Sequence, residues 1–445
     1  MKNIKKVSSI ALSLVTAAGL FSGCANQQNG TGTTGGNETT AAPAATEETT
    51  AAGEEVTLTL WSISTESDAF HPAYISAIED FEAAHPGVKI KHETFENQSY
   101  KTKLKAAVSA NELPDIFFTW AGGFSQSFVD SGKVLEMDKY YENYKDQISE
   151  AALGNLYYND KLYGSTMCTP VSVMWYNQKI FKENSLEAPK TWDEMVNVCT
   201  TLKNNGVAPI ATSVKDTWVL AMLHDGLTLK SAGPQKVTDA LKNNSVSYTD
   251  PDFLVSAQKI KELGDMGAFI DGATGLTNDE ASAQFYAGKA GMYFTGSWMG
   301  SDIMTKTENP ADFGVAPIPV INGSNAKITD FMGGGSDSLM VAASTEHPDL
   351  AATAAFEITK GVSKYGFLSG AGVPAWKVDY DASTVPTLTK QLADYANGAT
   401  SFTLWFDTLM DSEDAGEYIA LLQELYMGNI TPEEFQQAMA DQLEG

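Results

Sequence analysis

The sequence predicts an α/β protein made of two doubly wound lobes, and two observations lead to this prediction. The chain has 445 residues, which exceeds the roughly 250–300 residues at which a single hydrophobic core stops growing, so two lobes are expected. Between residues 56 and 120, stretches of strand character alternate with stretches of helical periodicity. Strand, helix, strand, helix, strand is the doubly wound pattern, whose ligands bind beyond the carboxyl ends of the strands.

The first elements follow from hydrophobic periodicity. Val56–Trp61 alternates apolar and polar residues and predicts a strand. A helix is expected from Pro72, with Ile75, Ile78 and Phe81 on its buried face. The same reasoning then predicts a strand over Val88–Phe95, a helix over Tyr100–Ala110 and a buried strand over Asp115–Trp120.

Capping signals mark helices further along the chain. Thr191-Trp192-Asp193-Glu194 and Thr431-Pro432-Glu433-Glu434 are capping boxes. The first of these helices places Cys199 on its apolar stripe, so this thiol is expected in the core. Gly333-Gly334-Gly335 precedes a predicted strand and serves either a close approach to ligand or a hinge. The other predicted elements are strands over Val171–Tyr176, Met292–Phe294 and Ser338–Ala342, and a helix from Asp250 through Leu263.

The N-terminus predicts export and lipidation. Three lysines precede an apolar stretch over Val7–Leu20, which is too short to span a membrane. Phe21-Ser22-Gly23-Cys24 resembles the lipobox of bacterial lipoproteins, in which the cysteine is lipidated; an ordinary signal peptide is the alternative. Residues 1–23 are thus predicted to be a signal peptide, and residues 24–55 the lipidated Cys24 and a flexible linker, because this stretch lacks large apolar residues until its end.

Charge and composition exclude several classes of function. The formal net charge is −27, and all 29 basic residues are lysines. Nucleic-acid partners are excluded because they require a positive surface, and anionic ligands are disfavoured because the bidentate guanidinium is missing.

Three cysteines cannot form a disulfide framework, although a Cys168–Cys199 bridge stays open. The five histidines show no metal-ligand spacing, and no metal or other cofactor is expected.

Motifs for nucleophilic catalysis or nucleotide binding do not occur in the sequence. There is no G-x-S-x-G, GxxxxGK[ST] or GxGxxG, and His92-Glu93 lacks the second histidine of a zinc protease. Two of the 56 acidic residues would suffice for a glycosidase, but sequence spacing cannot test such a pair. We therefore expect no enzymatic activity.

Several motifs in order resemble extracellular solute-binding proteins of the carbohydrate type, similar to maltose-binding proteins, which feed ABC importers. The resemblance covers roughly residues 55–443. Its motifs are Leu113–Trp120, Tyr176–Phe181 with Pro189–Glu194, Phe285–Met292 through Gly296-Ser297-Trp298, Gly314–Pro319, and the stretch from Trp405 to Glu434.

The resemblance implies two lobes with a ligand cleft between them. Three crossovers are expected near Cys168–Val171, Thr329–Gly335 and Pro374–Tyr380. Lobe 1 would then comprise 56–168 and 336–375, and lobe 2 would comprise 172–329 and 380–445. The implied partners are a sugar and the permease subunits of an ABC importer, and the protein is expected to be a monomer. One departure is Ala121-Gly122-Gly123, where relatives often have an acid and a basic residue.

Aromatic residues are the first class of candidate ligand contacts, because a sugar presents C–H faces to aromatic rings. Trp298 and Trp405 lie where the resemblance places sugar-stacking aromatics, whereas Trp120 and Trp61 end predicted strands. Core packing is the alternative for each of them. Trp218 and Tyr163 complete this class.

Carboxylates are the second class, because they accept hydrogen bonds from sugar hydroxyls. Glu66 and Asp68 lie in the first strand–helix loop, where helix capping is the alternative role. Asp216 precedes Trp218 by two residues, and Asp407 lies beside Trp405.

Together these observations predict a lipid-anchored binding component of a carbohydrate ABC importer on the extracellular face of the membrane, with a Gram-positive surface favoured over a periplasm. A non-sugar solute such as a polyamine is the alternative, favoured by the acidic charge. A surface glycosidase is a second alternative.

Overall fold

The computed structural model describes residues 55–444 except positions 149, 322, 325 and 382. The predicted signal peptide, Cys24 and most of the predicted linker lie outside the described residues. Within the described range, no helix combines the length and the apolar composition needed to cross a membrane.

Strands and helices alternate along much of the chain. The strands are β1 (Val56–Ser62), β2 (Val88–Thr94), β3 (Ile116–Trp120), β4 (Tyr157–Tyr158), β5 (Lys161–Leu162), β6 (Gly164–Thr166), β7 (Ser172–Asn177), β8 (Ala208–Ala211), β9 (Ala290–Gly296), β10 (Phe313–Ala316), β11 (Asp330–Met332), β12 (Asp337–Val341) and β13 (Ser401–Thr403).

The helices carry most of the remaining chain, with short 3₁₀ helices at Glu150–Leu156 and Pro310–Asp312. They are α1 (His71–Ala84), α2 (Asn97–Ala110), α3 (Gly123–Asp130), α4 (Asp138–Tyr141), α5 (Gln178–Glu183), α6 (Trp192–Asn204), α7 (Trp218–Ala232), α8 (Pro234–Leu241), α9 (Pro251–Asp265), α10 (Asn278–Tyr286), α11 (Met299–Lys306), α12 (Pro348–Ser369), α13 (Thr387–Asn397), α14 (Phe406–Leu409), α15 (Ser412–Met427) and α16 (Pro432–Glu444).

Lobe 1 is built on a five-stranded sheet in the order β2-β1-β3-β12-β6. β1 pairs in parallel with β2 and β3, whereas β12 runs antiparallel to β3 and β6. β3 is apolar along most of its length and buried throughout, as predicted for a central strand. Helices α1 and α12 pack against each other over this sheet and contribute Tyr74, Phe81 and Phe356 to its core.

Lobe 2 is built on a four-stranded sheet in the order β10-β7-β9-β8. β7 pairs antiparallel with β9 and β10, and β8 joins β9 in parallel. The capping box at Thr191 is formed in full and starts α6, whose buried face includes Cys199 as predicted. The second box at Thr431 also forms, with Glu434 Oε2 accepting the Thr431 N–H at 2.8 Å.

Three segments run side by side between the two lobes. The first joins β6 to β7, the second joins β11 to β12, and the third follows α12. Bridges between Cys168 and Pro374 and between Val171 and Gly333 hold the segments together. Gly333 has φ +138°, and a Cβ there would lie 2.1 Å from the Pro170 carbonyl oxygen. Glycine is therefore required for the close approach of two crossovers. The lobe limits predicted from the sequence stay a prediction.

The structure corrects one prediction about α1 and answers the open question about the cysteines. Ile75 is 41% exposed, so its predicted burial is wrong. The buried face of α1 includes Tyr74, Ala77, Ile78 and Phe81, and Ile75 lies just beyond the edge of this face. Cys168 and Cys199 are both free thiols in separate cores, so the open question of a bridge between them is answered against it.

Candidate ligand-binding site

The strand ends of lobe 1 bring Trp120 next to a carboxylate. Trp120 ends β3 and lies directly opposite Asp337, the first residue of β12. Residues opposite each other in an antiparallel pair extend to the same face of the sheet with Cβ atoms roughly 5 Å apart. The Trp120 ring packs edge-on against Phe124 at 5.1 Å between centroids, and Lys101 Nζ lies 4.9 Å from its centroid.

Lobe 2 presents three tryptophans as a cluster. Trp298 follows β9, and its ring centroid lies 5.9 Å from that of Trp405, which follows β13. Trp218, the first residue of α7, lies 6.4 Å from Trp298. Trp298 is half-buried and packs against the cores of both lobes. The cluster therefore lies where the lobes meet.

Trp405 leaves a buried hydrogen-bond donor without a partner. Its side chain is 4% exposed, and no described group accepts a hydrogen bond from its indole N–H. Such an unsatisfied buried group costs about 1–3 kcal/mol and calls for a specific explanation. Four buried hydroxyls at or beside strand ends that approach the lobe boundary are also without partners in the described structure, namely those of Ser172, Thr295, Ser336 and Thr403.

Asp68 and Asp337 form a half-buried carboxyl pair beside this boundary. Asp68 Oδ1 accepts hydrogen bonds from Ser64 Oγ at 3.0 Å and from the Phe70 N–H at 2.9 Å. Cys168 Sγ lies 3.8 Å from Asp337 Oδ2. Among residues 55–444 as described, no lysine is within ion-pair distance of either carboxylate. The Lys306 ammonium, which pairs with Asp302, acts on Asp68 only as the weakest of the causes that set its pKa.

Burial governs the protonation of this carboxyl pair. It raises the pKa of Asp68 to about 6. Burial, with the neighbouring charge of Asp68 as a second cause, raises the pKa of Asp337 to about 7. Near neutral pH Asp337 is thus partly protonated, whereas an ordinary aspartate would be ionised. The pair is able both to donate and to accept hydrogen bonds.

Several contacts join the two lobes across the cleft. Lys101 on α2 pairs with Asp407 on α14 at 3.1 Å, and Lys306 on α11 donates to the Ser67 carbonyl at 3.2 Å. Gly123 lies so close to α14 that a Cβ there would be 2.0 Å from the Met410 carbonyl oxygen. The lobes are therefore in contact over the candidate site.

The comparisons with known proteins agree with this geometry. The model of the bacterial extracellular solute-binding protein family matches residues 66–357, more than half of the chain. This chain belongs to that family.

Relatives and solved structures cover most of this solute-binding protein. An uncharacterized ABC transporter extracellular-binding protein of Pyrococcus horikoshii is 26% identical over 78% of this chain and 78% of its own. The multiple sugar-binding protein of Streptococcus mutans is 25% identical over 66% of this chain and 69% of its own. A structure from work on xylan utilization by Caldanaerobius polysaccharolyticus has a TM-score of 0.84 at 35% identity, covering 87% of this chain and 100% of its own. A chitin oligosaccharide binding protein has a TM-score of 0.80 at 27% identity, covering 88% and 99%.

Not every predicted contact of this solute-binding protein lies in the cluster. Trp61 packs within lobe 1 against Phe95, with Lys103 Nζ 4.0 Å from its ring centroid. Tyr163 packs edge-on against Tyr158 at 6.1 Å within lobe 1.

The four carboxylates predicted to contact a ligand also have different surroundings. Asp216 Oδ2 accepts the Asn278 N–H at 2.7 Å, which ties it to the start of α10. Glu66 is exposed. Asp68 Oδ1 accepts the Phe70 N–H in the turn before α1, which fits the capping role, while its contact with a ligand stays a prediction. Asp407 bonds to lobe 1 through Lys101.

Sequence reasoning missed Asp337. Its neighbour Trp120 is 217 positions earlier in the chain, and only the β3–β12 register brings them together. The available signal was its position two residues after Gly335, directly before the start of a predicted strand that follows a predicted crossover.

Proposed function

We propose that this solute-binding protein captures a carbohydrate, most simply an oligosaccharide, between its lobes and delivers it to the permease of an ABC importer. One observation supports the proposal: Trp298, clustered with Trp218 and Trp405, packs against the cores of both lobes, and lobe 1 places Trp120 opposite Asp337 at a strand end. Aromatic faces match the C–H faces of a pyranose, and carboxyl and indole N–H groups match its hydroxyls. The sugar-binding names of relatives support this substrate class.

The magnitudes are sufficient for transport-level affinity. Burying about 100 Å² of one indole contributes ~2.5 kcal/mol at ~25 cal/mol/Å². Two such rings, the half-buried Trp218 and Trp298, would contribute ~5 kcal/mol, and hydrogen bonds to carboxyl and indole groups would supply the rest of the ~8 kcal/mol of a micromolar ligand. No bond of the ligand is expected to be made or broken, so we propose a binding protein without catalytic activity. It is proposed to act as a monomer.

Anchoring through lipidated Cys24 at the extracellular face of a Gram-positive membrane completes the proposal. The lipobox-like Phe21–Cys24 and the polar stretch after it support this location. Membrane fractionation of the full chain and of Cys24→Ala tests it. We expect the substitution to release the protein, and its retention in the membrane fraction would contradict lipid anchoring.

A polyamine is the second candidate ligand, and one observation favours it. The Asp68–Asp337 pair has no lysine partner among the described residues, and an ammonium group would neutralise it. The sugar proposal is preferred because the cleft brings together more aromatic surface than charge.

A thermal-shift screen separates these ligands. The panel contains xylo-oligosaccharides, chito-oligosaccharides, spermidine and a sugar phosphate. A ligand present at 100 times its Kd adds ~2.7 kcal/mol to the free energy of unfolding. We expect stabilisation by a neutral oligosaccharide and none by the phosphate. Stabilisation by spermidine alone would replace the sugar proposal. Release of reducing ends from any oligosaccharide would contradict the binding-only role.

A further inference from the structure

Lys230 is a buried cation in the last turn of α7. Its side chain is 1% exposed. Its ammonium donates to the backbone carbonyls of Lys327 at 2.8 Å, Ile328 at 3.1 Å and Asp330. An ammonium has three N–H donors, and here each has a carbonyl acceptor. We call this arrangement the Lys230 clamp.

The clamped carbonyls lie at the lobe 2 end of the second crossover. Asp330 starts β11, and three residues later Gly333 contacts the first crossover through its bridge with Val171. The Asp330 side chain binds the same segment from the other side, accepting from Thr400 Oγ1 at 2.6 Å, Ser401 Oγ at 2.9 Å and the Lys327 N–H at 2.7 Å. The end of the crossover is therefore fixed to α7 and to β13.

Helix α7 connects this clamp to the aromatic cluster. Its first residue is Trp218, beside Trp298. In its middle, Asp225 Oδ2 accepts the Phe406 N–H at 2.9 Å, which holds the segment that carries Trp405. One buried helix thus carries Trp218 beside Trp298, holds the segment that carries Trp405, and binds the crossover about which the lobes would turn.

We propose that Lys230 is a positioning residue that holds the second crossover in the geometry required for lobe closure. The inference rests on the proposed function, in which closure accompanies capture. Replacing the ammonium by an apolar group leaves three carbonyls without their donor in a buried place, which frees the crossover from α7. The closed arrangement then loses a support that an open arrangement does not need.

The clamp also predicts a response to pH. Burial lowers the pKa of Lys230 from 10.5 to about 8, against the attraction of Asp330. Asp330 on β11 is the acidic side chain facing it, and the loop before β11 contributes the exposed Lys327. A neutral amine has two N–H donors, so one carbonyl loses its partner as the pH passes 8. Between about pH 8 and 10.5 the unfolded chain binds this proton more tightly than the folded chain. This group's contribution to the free energy of unfolding therefore rises with pH, while the clamp weakens.

The test compares Lys230→Met with a matched control, Lys236→Met, in the full chain. Lys236 lies on the next helix and pairs at the surface with Asp250 and Asp252. Small-angle scattering measures the radius of gyration, and calorimetry measures affinity for xylotetraose and chitotetraose. For Lys230→Met we expect a larger radius of gyration with the probe present and an affinity lowered roughly 5–30-fold. The control should match the wild type.

A merely structural role is distinguished by the pattern of results. A lower melting temperature with unchanged affinity and radius in the folded protein would overturn the proposal. Should Lys230→Met fail to fold, the Asp337→Asn variant decides, because it removes the titration of Asp337: its affinity should fall between pH 7.5 and 9.5, and a constant affinity and radius would overturn the proposal. If neither probe binds the wild type, the proposed function is in question. The radius of the ligand-free protein across the same pH range then decides the inference.

Discussion

Lobe 1 and lobe 2 bring different chemistry to the cleft between them. Lobe 1 supplies the carboxyl pair Asp68 and Asp337 with one tryptophan beside it. Lobe 2 supplies the cluster of Trp218, Trp298 and Trp405, with an indole N–H that has no acceptor among the described groups. If the ligand binds where we propose, it meets hydrogen-bonding groups on one side and aromatic faces on the other. Such a division favours capture by closure, because neither lobe alone completes the site.

The tryptophan cluster of lobe 2 is tested most strongly by Trp405→Ala. If Trp405 is a ligand platform, affinity should fall by about 2–3 kcal/mol, roughly 30–150-fold, because a stacking face and an N–H donor are lost from a water-excluded site. Calorimetry with the best ligand of the screen measures this change. Trp405→Phe keeps a ring without the N–H and should lose less.

The core interpretation of Trp405 makes the opposite prediction. Truncating a buried tryptophan costs ~3–5 kcal/mol of stability. A fall of that size in the free energy of unfolding, with affinity intact, would remove Trp405 from the site.

Contact between the lobes is tested by Gly123→Ala. The added Cβ would lie 2.0 Å from the Met410 carbonyl oxygen of the opposite lobe, so the closed arrangement should be resisted. Overpacking of this kind costs about 1–3 kcal/mol, and we expect affinity to fall by a corresponding ~5–150-fold. Gly154→Ala is the matched control, because its Cβ would meet no atom within 4 Å. Equal affinity for the two variants would show that this contact does not accompany binding.

The carboxyl pair of lobe 1 is tested by Asp337→Asn. Because the folded-state pKa of Asp337 is raised to about 7, the folded chain binds its proton more tightly than the unfolded chain. The contribution of Asp337 to stability is therefore lost as the pH rises from about 4 to 7. Without ligand, Asp337→Asn should stabilise the protein at pH 8 on the order of 2 kcal/mol, and less at pH 5. Denaturant unfolding at both values checks this.

The same variant should weaken binding by about 1–2 kcal/mol, because an amide cannot replace both roles of the carboxyl. Asp216→Asn is the control, since Asp216 bonds within lobe 2. Unchanged affinity in Asp337→Asn would leave lobe 1 with Trp120 as its main contact.

The sequence alone predicted the strands well and the directions of their side chains less well. Trp61 and Trp120 both end or nearly end strands, yet only Trp120 meets Asp337. In β1 the buried positions are Leu58, Leu60 and Ser62, so alternation places Trp61 on the other face. This alternation is visible in the sequence and separates Trp61 from the buried face, whereas position at a strand end alone does not.

Other parts of the site depend on contacts that no local pattern contains. Asp337 gains its role from a register with a distant strand, and the unsatisfied Trp405 N–H follows from packing between lobes. The departure Ala121-Gly122-Gly123 was recognised, but its consequence required the structure. Gly122 and Gly123 allow the 404–410 segment of lobe 2 to approach β3 and α3.

The smallest expected effect on ligand affinity concerns the ion pair between Lys101 and Asp407, which joins the two lobes directly. Its side chains are 23% and 15% exposed, so solvent and salt screen it only in part. Lys101 Nζ also lies over Trp120, so Lys101→Met alone would remove two interactions. A double-mutant cycle with Asp407→Asn isolates the pair. We expect a coupling energy of about 0.5–1 kcal/mol in ligand affinity, decreasing with added salt.

Lys103→Met is the control, because Lys103 lies two residues further along α2 and contacts only Trp61 and Phe95 of its own lobe among the described rings. A coupling of zero would mean that the lobes close without this contact, and closure would then depend on the ligand and on the packing at Gly123.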